Sequence, residues 1–496
     1  MNHLVSLLIF SPLVGILLLA CIPGNRERWL KWVALLCTLL PLGLVFALGM
    51  VFRLGESGNQ FAETMSWLSY AMQGATGTVI YAIRYEVGIN GLSLVLLMLT
   101  TLLMVLAVIA SWSIKHHVKS YFLFFFLLEL GMIGVFAAQN LFLFFIFFEL
   151  TLVPMFFLIG RYGYRDREGA AYHFLLYNGL GSLVLLIVFV TLFMVTGTMN
   201  YAELLAVLPS LSSSFKMGCL LALLLAFGIK LPMVPLHSWM VKVHVEAPAP
   251  VVMLHSGVLL KIGGYGLIMF GMLFFPEEFK ELAGVLAVWG VINVLYGAFL
   301  ALVQKDLKRV LAYSSVSHMG IVLIGLAACN EAGIKGAILQ LLSHGLISAL
   351  LFFLVGILYE RNATSQLKDY SGLAVGMPVT AGLLLAGGLA SLGLPGMSGF
   401  VSEFLAFLGL FEKMPIVAAV GTLGLIVTAA YVLRAILAIT FGEQRSMERA
   451  VEINARERVP AFILLALIML IGVFPNVVTA PLATLLDTIL PLVRGS

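Results

Sequence analysis

The sequence predicts an all-α integral membrane protein of about 14 transmembrane helices, and three observations lead there. Of 496 residues, 61% are hydrophobic and only 10% charged, where a soluble domain carries about 25% charged residues. Apolar runs of roughly 20 residues, enough to cross about 30 Å of hydrocarbon, recur along the whole chain. Lys and Arg then gather in alternate loops, the pattern of cytoplasmic segments. The net charge of +4, from 28 basic and 24 acidic residues, is too balanced to point to nucleic acid as a partner.

In order, the apolar segments are 4–22, 30–52, 89–111, 118–138, 141–160, 172–196, 217–236, 250–274, 281–303, 310–328, 334–358, 378–410, 414–441 and 459–486. The first lacks a basic stretch before it and is expected to be a retained helix, not a cleaved signal. Residues 54–88 are too short for an independent core and are expected to form an external loop. Cys21, Cys37, Cys219 and Cys329 all fall in apolar runs, without disulfide or metal spacing, and read as small core residues.

Loops after odd-numbered segments hold 18 basic residues, from Arg26 to Arg458 and including Arg445 and Arg449. The other loops and ends hold seven: Arg53, Arg84, Lys216, Lys280, Lys335, Lys413 and Arg494. A missed or invented helix would scramble this asymmetry, so it supports the count and predicts both termini outside.

Six ionisable residues remain inside the apolar runs: Lys230, Lys261, Arg434, Glu129, Glu149 and Glu403. At roughly 2.5–3.5 kcal/mol each, leaving them unpaired in lipid would exceed a typical domain's whole stability of about 5–15 kcal/mol. They must face one another or internal water, which makes them functional candidates.

Glu149 lies five residues before Pro154, and Lys230 just before Pro232 and Pro235. Proline frees a backbone carbonyl, and a helix broken at membrane depth lines a cavity or is buried in protein. Lys230 is therefore either a switchable proton site or a structural cap on freed carbonyls. Lys261 sits among glycines that allow close helix approach and extends the same polar chain. Pro395–Gly396 predicts a second break shortly before Glu403.

Glu149 to Lys230 spans 81 positions and His318 to Glu403 spans 85. Two five-helix units with matching breaks, offset by five helices and so inverted, carry the pattern of a transporter. The organisation expected is 1–111 (helices 1–3 and the external loop), 118–274 (first repeat), 281–441 (second repeat) and 442–496 (cytoplasmic loop and last helix).

Paired membrane histidines can ligate haem, but the Ser-rich and Gly-rich surroundings of His318 and His344 suit a hydrated relay better. His237, His244 and Glu246 share one short turn, where a loop-packing role or a metal site are the two readings. Arg434 is expected to neutralise an acidic neighbour, and Glu129 to pair with one of the other groups.

The stretches NLFLFFIFFELTLVPMFFLIG, LPMVPLHSW, HVEAP, GVLLKIGGYGL, DLKRVLAYSSVSHMG, LLSHGLISALLFFLVG and GLPGMSGFVSEF resemble, over roughly 85–440, the antiporter-like chains of proton-pumping NADH:quinone oxidoreductase, respiratory complex I. Glu403, where sister chains commonly carry lysine, and the ten residues after the last segment favour the subunit M (subunit 4) type. Met240-Val241 departs from the Leu-Pro of many relatives and leaves the shape of that turn open.

The resemblance implies a fold of 14 helices with inverted repeats. It implies channel roles for Glu149, Lys230, Lys261 and Glu403, and a relay through His318 and His344; Glu129 maps to no family role. No dinucleotide, flavin or cluster motif appears. NADH, flavin, iron–sulfur clusters and quinone are therefore expected in partner subunits, with protons as cargo, other complex I membrane chains and lipid as partners, and a bacterial cell membrane as location. The alternatives are a multisubunit cation/proton antiporter, a related membrane hydrogenase, or a scaffold whose charges merely pair.

Overall fold

A computed structural model describes residues 3–56, 58–74, 77–443 and 451–494; Arg445 and Arg449 lie outside the described residues. The chain opens with α1 (Leu4–Cys21) and α2 (Glu27–Val51), followed by a hairpin of β1 (Gln60–Gly74) and β2 (Gly77–Ile89). Helix α3 (Gly91–Ala110) follows, and the first unit then comprises α4 (Val118–Ala137), α5 (Leu141–Tyr162), α6 (Arg167–Thr196), α7 (Tyr201–Val207), α8 (Ser213–Lys230), α9 (Ser238–Glu246), α10 (Ala249–Leu254) and α11 (Leu260–Gly266), with α12 (Pro276–Glu281) after it. After it come α13 (Ala283–Val303), α14 (Leu307–Ala327), α15 (Glu331–Asn362), α16 (Leu373–Gly376), α17 (Pro378–Ser391), α18 (Ser398–Lys413), α19 (Pro415–Thr440), α20 (Ala455–Val473), α21 (Asn476–Thr479) and α22 (Ala483–Arg494).

Among the described residues 13 helices are long and apolar enough to cross a membrane. One of them, Asn476–Val493, packs instead along the ends of α3, α12 and α15. The helical pair α17 and α18 crosses as two halves, and α20 opens on Arg456, Glu457 and Arg458 before its apolar body. Counting α17–α18 and α20 as crossings, and Asn476–Val493 as a helix packed on the bundle, the described residues give the 14 expected. The last expected segment, 459–486, divides, because Pro475 disfavours helical backbone at Phe474; α20 ends at Val473.

The hairpin was not foreseen, since 54–88 carries no long apolar run. Its strands pair antiparallel, with Glu63 opposite Val87 and Met65 opposite Tyr85. The Glu63 carboxylate accepts from the backbone N–H of Val5 at 2.8 Å and from the Ser6 hydroxyl, which caps α1 and ties the hairpin to the face where the chain begins. We call this the terminal face. The opposite, basic face carries the loops rich in Lys and Arg.

Asparagines start several helices by accepting a backbone N–H, the usual N-cap geometry: Asn90 at α3, Asn140 at α5 and Asn330 at α15. Two isolated bridges expose the symmetry of the fold. Asn140 pairs with Asn200 and Asp306 with Gln366. The first bridge joins the start of α5 to the end of α6 at the terminal face, and the second joins the start of α14 to the end of α15 at the basic face. The same connection on opposite faces is what an inverted repeat requires. Cys37, Cys219 and Cys329 are buried as expected, whereas Cys21 is exposed at the end of α1.

Candidate functional site

The first break lies where α8 stops. Pro232 and Pro235 supply no amide hydrogen, so the helix ends at Lys230 and resumes as α9 at Ser238. Met240 is buried inside α9, so the departure at Met240-Val241 continues a helix. Trp239 Nε1 donates to the Ile229 carbonyl at 3.1 Å, satisfying one of the groups the break frees. Lys230 thus sits at a helix C-terminus, where the negative dipole end favours an ammonium. Its Nζ donates to Asn178 Oδ1 at 3.2 Å and lies 4.9 Å from the centre of the Phe148 ring. Glu149 follows Phe148 on α5, and its Oε1 is buried without a hydrogen-bond partner. Lys230 therefore takes Asn178, not Glu149, as its contact partner.

The second break, Leu392 to Met397, turns at Gly393 (φ 78°) and Gly396 (φ 91°). A Cβ at Gly393 would come within 2.7 Å of Glu403 Oε2, so glycine both permits the left-handed backbone and leaves the space the carboxylate occupies. Glu403 Oε1 lies 3.3 Å from His318 Nδ1. Gln340 Nε2 lies 3.1 Å from the same nitrogen, and Ser391 Oγ 3.2 Å from His318 Nε2. Ser402 donates to Gln340 Oε1 at 2.5 Å. With its Nδ1 unprotonated, His318 accepts from Gln340; doubly protonated, it donates to Glu403.

Between the breaks, two π turns, His255–Leu259 and Leu267–Met272, flank α11 and its Lys261. Such bulges recur at functional sites. Lys261 is fully buried, with Nζ 2.6 Å from His344 Nδ1. The His344 and His318 ring centres are 5.5 Å apart. His255 Nδ1 and His244 Nε2 are 2.9 Å apart, so the two imidazoles share one proton across that bond. The Phe174 ring neighbours both Lys230 Nζ, 5.8 Å from its centre, and the His255 ring, 6.0 Å away.

Lys261, His344, His318 and Glu403 thus form one chain, with Lys230 and Glu149 beyond Phe174. Glu129 does not join it: it is buried on α4 and, among the described residues, neither carboxylate oxygen has a hydrogen-bond partner. Arg434 lies exposed near the basic end of α19 and donates to the Gln304 carbonyl, its long side chain reaching the surface. These two placements correct the expectations that Glu129 is paired and that Arg434 neutralises an interior acid. His237, His244 and Glu246 do not converge. His237 packs edge-on against Tyr296, ring centres 5.2 Å apart, His244 faces His255, and Glu246 accepts from the Asp166 N–H at 2.9 Å.

Sequence reasoning missed Asn178, His255, Gln340, Ser391 and Ser402, because it followed formal charge and proline breaks. The available signal was a polar side chain inside an apolar run, which is costly to bury unless hydrogen-bonded.

Two inverted helical units, each broken at its fourth crossing and joined by buried ionisable groups, define a multi-pass membrane protein of the transporter class. The chain belongs to the NADH:quinone oxidoreductase/Mrp antiporter transmembrane family, which it matches over residues 138–429. It is 37% identical to NADH-quinone oxidoreductase subunit M of Rhodobacter capsulatus, over 97% of this chain and 94% of that one. It is 38% identical to NAD(P)H-quinone oxidoreductase chain 4 2 of Thermosynechococcus vestitus, over 96% and 89%. A chain of respiratory complex I from Thermus thermophilus with bound NADH superposes with a TM-score of 0.86 at 30% identity, over 99% of this chain and 100% of that one. A chain of the Mrp complex from Dietzia sp. DQ12-45-1b shares the fold, with a TM-score of 0.82 at 22% identity over 99% of both chains.

Proposed function

We propose that the chain is a proton-translocating membrane subunit of an NADH:quinone oxidoreductase. The observation that carries this reading is the buried polar chain from Lys261 through His344 and His318 to Glu403, with Lys230 and Glu149 across Phe174. Electron transfer from NADH to quinone belongs to partner subunits, which hold the flavin, the iron–sulfur clusters and the quinone site. This chain contributes groups that hold and release protons, which makes it part of a translocase. Other antiporter-like chains and lipid surround it. Its basic face is cytoplasmic and its termini lie on the outer side of a bacterial cell membrane, as the excess of Lys and Arg indicates.

In this reading, an electrostatic or conformational change driven by quinone reduction alters the field between Glu149 and Lys230, since a nearby opposite charge favours the charged form. Lys230 hands a proton past Phe174 towards His255 and Lys261. Lys261 and His344 share a proton across 2.6 Å, and His318 exchanges Gln340 for Glu403 as it takes one up. Moving one charge against about 100 mV costs roughly 2.3 kcal/mol. Making or breaking one hydrogen bond to a charged group supplies about 1.5–3 kcal/mol, which is the required scale.

The test is Lys230→Met in the whole complex, in inverted membrane vesicles, with assembly, NADH oxidation and proton uptake measured together. The expected result is assembled complex with proton uptake reduced by about tenfold or more. Full pumping at the parent stoichiometry would remove Lys230 from the mechanism. Sodium-dependent proton exchange without an electron donor would favour a cation/proton antiporter instead.

A further inference from the structure

At the basic face, the ends of α9, α14 and α15 and the loop after α5 surround a polar cavity of about 540 Å³. Glu246 and Asp306 line it together with Arg165, Lys305 and Arg309, and Lys308 forms part of its wall. Lys308 is only 4% exposed. Its ammonium lies 3.5 Å from the centre of the Tyr359 ring and 3.8 Å from that of Tyr164. Its hydrogen bond is a long one, 3.5 Å to the Val245 carbonyl. Asp306, Glu246 and Glu360 act on it electrostatically, yet among the described residues none forms an ion pair with it within 4.0 Å. Aromatic faces hold the cation without neutralising it.

Inward of this cage lies the histidine pair. Val245 adjoins His244, whose Nε2 meets His255 Nδ1 at 2.9 Å. Among the described residues, His244 Nδ1 and His255 Nε2 are buried with no hydrogen-bond partner, although buried polar atoms are as a rule paired. His255 in turn belongs to the π turn that leads into α11 and Lys261. A caged lysine at the wall of the cavity is thus joined, through the Val245 carbonyl, to the residue next to His244, and the two imidazoles carry nitrogens without partners among the described residues.

We propose that Lys308 is the group through which protons enter the buried chain from the basic face, with His244 and His255 as the next stations. The inference rests on the proton-translocation reading above and adds residues to it. In the step proposed, an Nζ–H bond of Lys308 breaks and a proton is passed, by way of water, to His244 Nδ1. The Lys308 amine is then reprotonated from water in the cavity. Tyr164 and Tyr359 position the ammonium between cavity and histidine and are not themselves proton carriers.

The test compares Lys308→Met, Lys308→Arg and Lys230→Met, each in the whole complex in inverted vesicles, with proton uptake scaled to assembled complex. Arginine keeps the charge and fills the cage but is not deprotonated in proteins, so it separates a relay from a structural cation. Both Lys308 variants are expected to lower proton uptake by about tenfold or more. Parent-level uptake with Lys308→Arg would overturn the proposal by making Lys308 a structural cation, and parent-level uptake with Lys308→Met would overturn it outright. If Lys308→Met does not assemble, Lys308→Arg decides. Lys230→Met reports separately on the underlying reading: full uptake there with both Lys308 variants impaired would fault the assignment of Lys230, not that of Lys308.

Discussion

The two inverted units share a plan but are tied together differently. Each is broken at its fourth crossing. In each, a glutamate from the segment after the fifth crossing holds the start of the broken helix. Glu278 accepts from Ser213 at 3.0 Å and pairs with Lys216 at 3.1 Å. Glu452 accepts from the Val379 N–H at 2.7 Å and the Thr380 hydroxyl at 2.5 Å. At the breaks themselves the units part. In the first, Lys230 has one amide partner and Glu149 keeps an oxygen unpaired. In the second, His318, Gln340, Ser391 and Ser402 are linked by hydrogen bonds, and Glu403 stands 3.3 Å from His318 Nδ1, its Oε1 without a hydrogen-bond partner among the described residues. A loosely held charge responds to a change in field, while a network orients groups for transfer, so the first unit suits sensing and the second suits relay.

The largest test of that contrast is Glu403→Gln against Glu149→Gln. Glu403→Gln removes the carboxylate within ion-pair reach of His318 and is expected to cost about 1.5–3 kcal/mol when His318 is protonated, the range for a hydrogen bond to a charged group. Glu149→Gln, which loses no contact partner, should stay within about 0.5 kcal/mol while still impairing pumping. Thermal unfolding of the solubilised complex reads the first difference and vesicle proton uptake the second. Equal destabilisation by both would erase the distinction between the units.

Gly393→Ala comes next, at about 2 kcal/mol, from a positive-φ backbone and a Cβ that would lie 2.7 Å from Glu403 Oε2. A stability unchanged from the parent would show that the break tolerates a side chain. Asn178→Leu should cost about 1–2 kcal/mol by leaving the buried Lys230 ammonium without its acceptor. An unchanged melting point there would mean that Lys230 finds another partner, such as Glu149.

The smallest effect is expected at Glu452→Gln, below about 1 kcal/mol, because the site is partly exposed and solvent-screened. Burial alone would raise the Glu452 carboxyl pKa, but hydrogen bonds from the Thr380 hydroxyl and the backbone of Ile453, Val379 and Thr380 hold it below its ordinary value of 4.5. The stability it adds is therefore complete above the unfolded value and lost as pH falls through the lower folded one. A melting temperature that loses this acid dependence in Glu452→Gln would sharpen the picture of a tethered second unit.

Much of this was legible in the chain itself. Lys230 before Pro232 and Pro235, and Glu403 after Pro395–Gly396, announced both breaks, because proline and glycine act on the backbone wherever the helix packs. Lys261, His318 and His344 stood out because ionisable groups are rare in apolar runs. The hairpin did not, since hydrophobic length was the signal and its strands, Gln60–Gly74 and Gly77–Ile89, carry no long apolar run. Asn178, Gln340 and Ser391 were equally silent, being neutral and meaningful only through what they touch.

The sequence by itself determined the number of crossings, their alternation and the places where helices break, since hydrophobic length, basic loops and imino acids are local properties acting on lipid and backbone. Only the tertiary structure decided partnership: Lys230 with Asn178, Lys261 with His344, Glu403 with His318, and Glu129 with none. Those pairings join side chains 52 to 85 positions apart, and contact across such separations is set by how the helices pack.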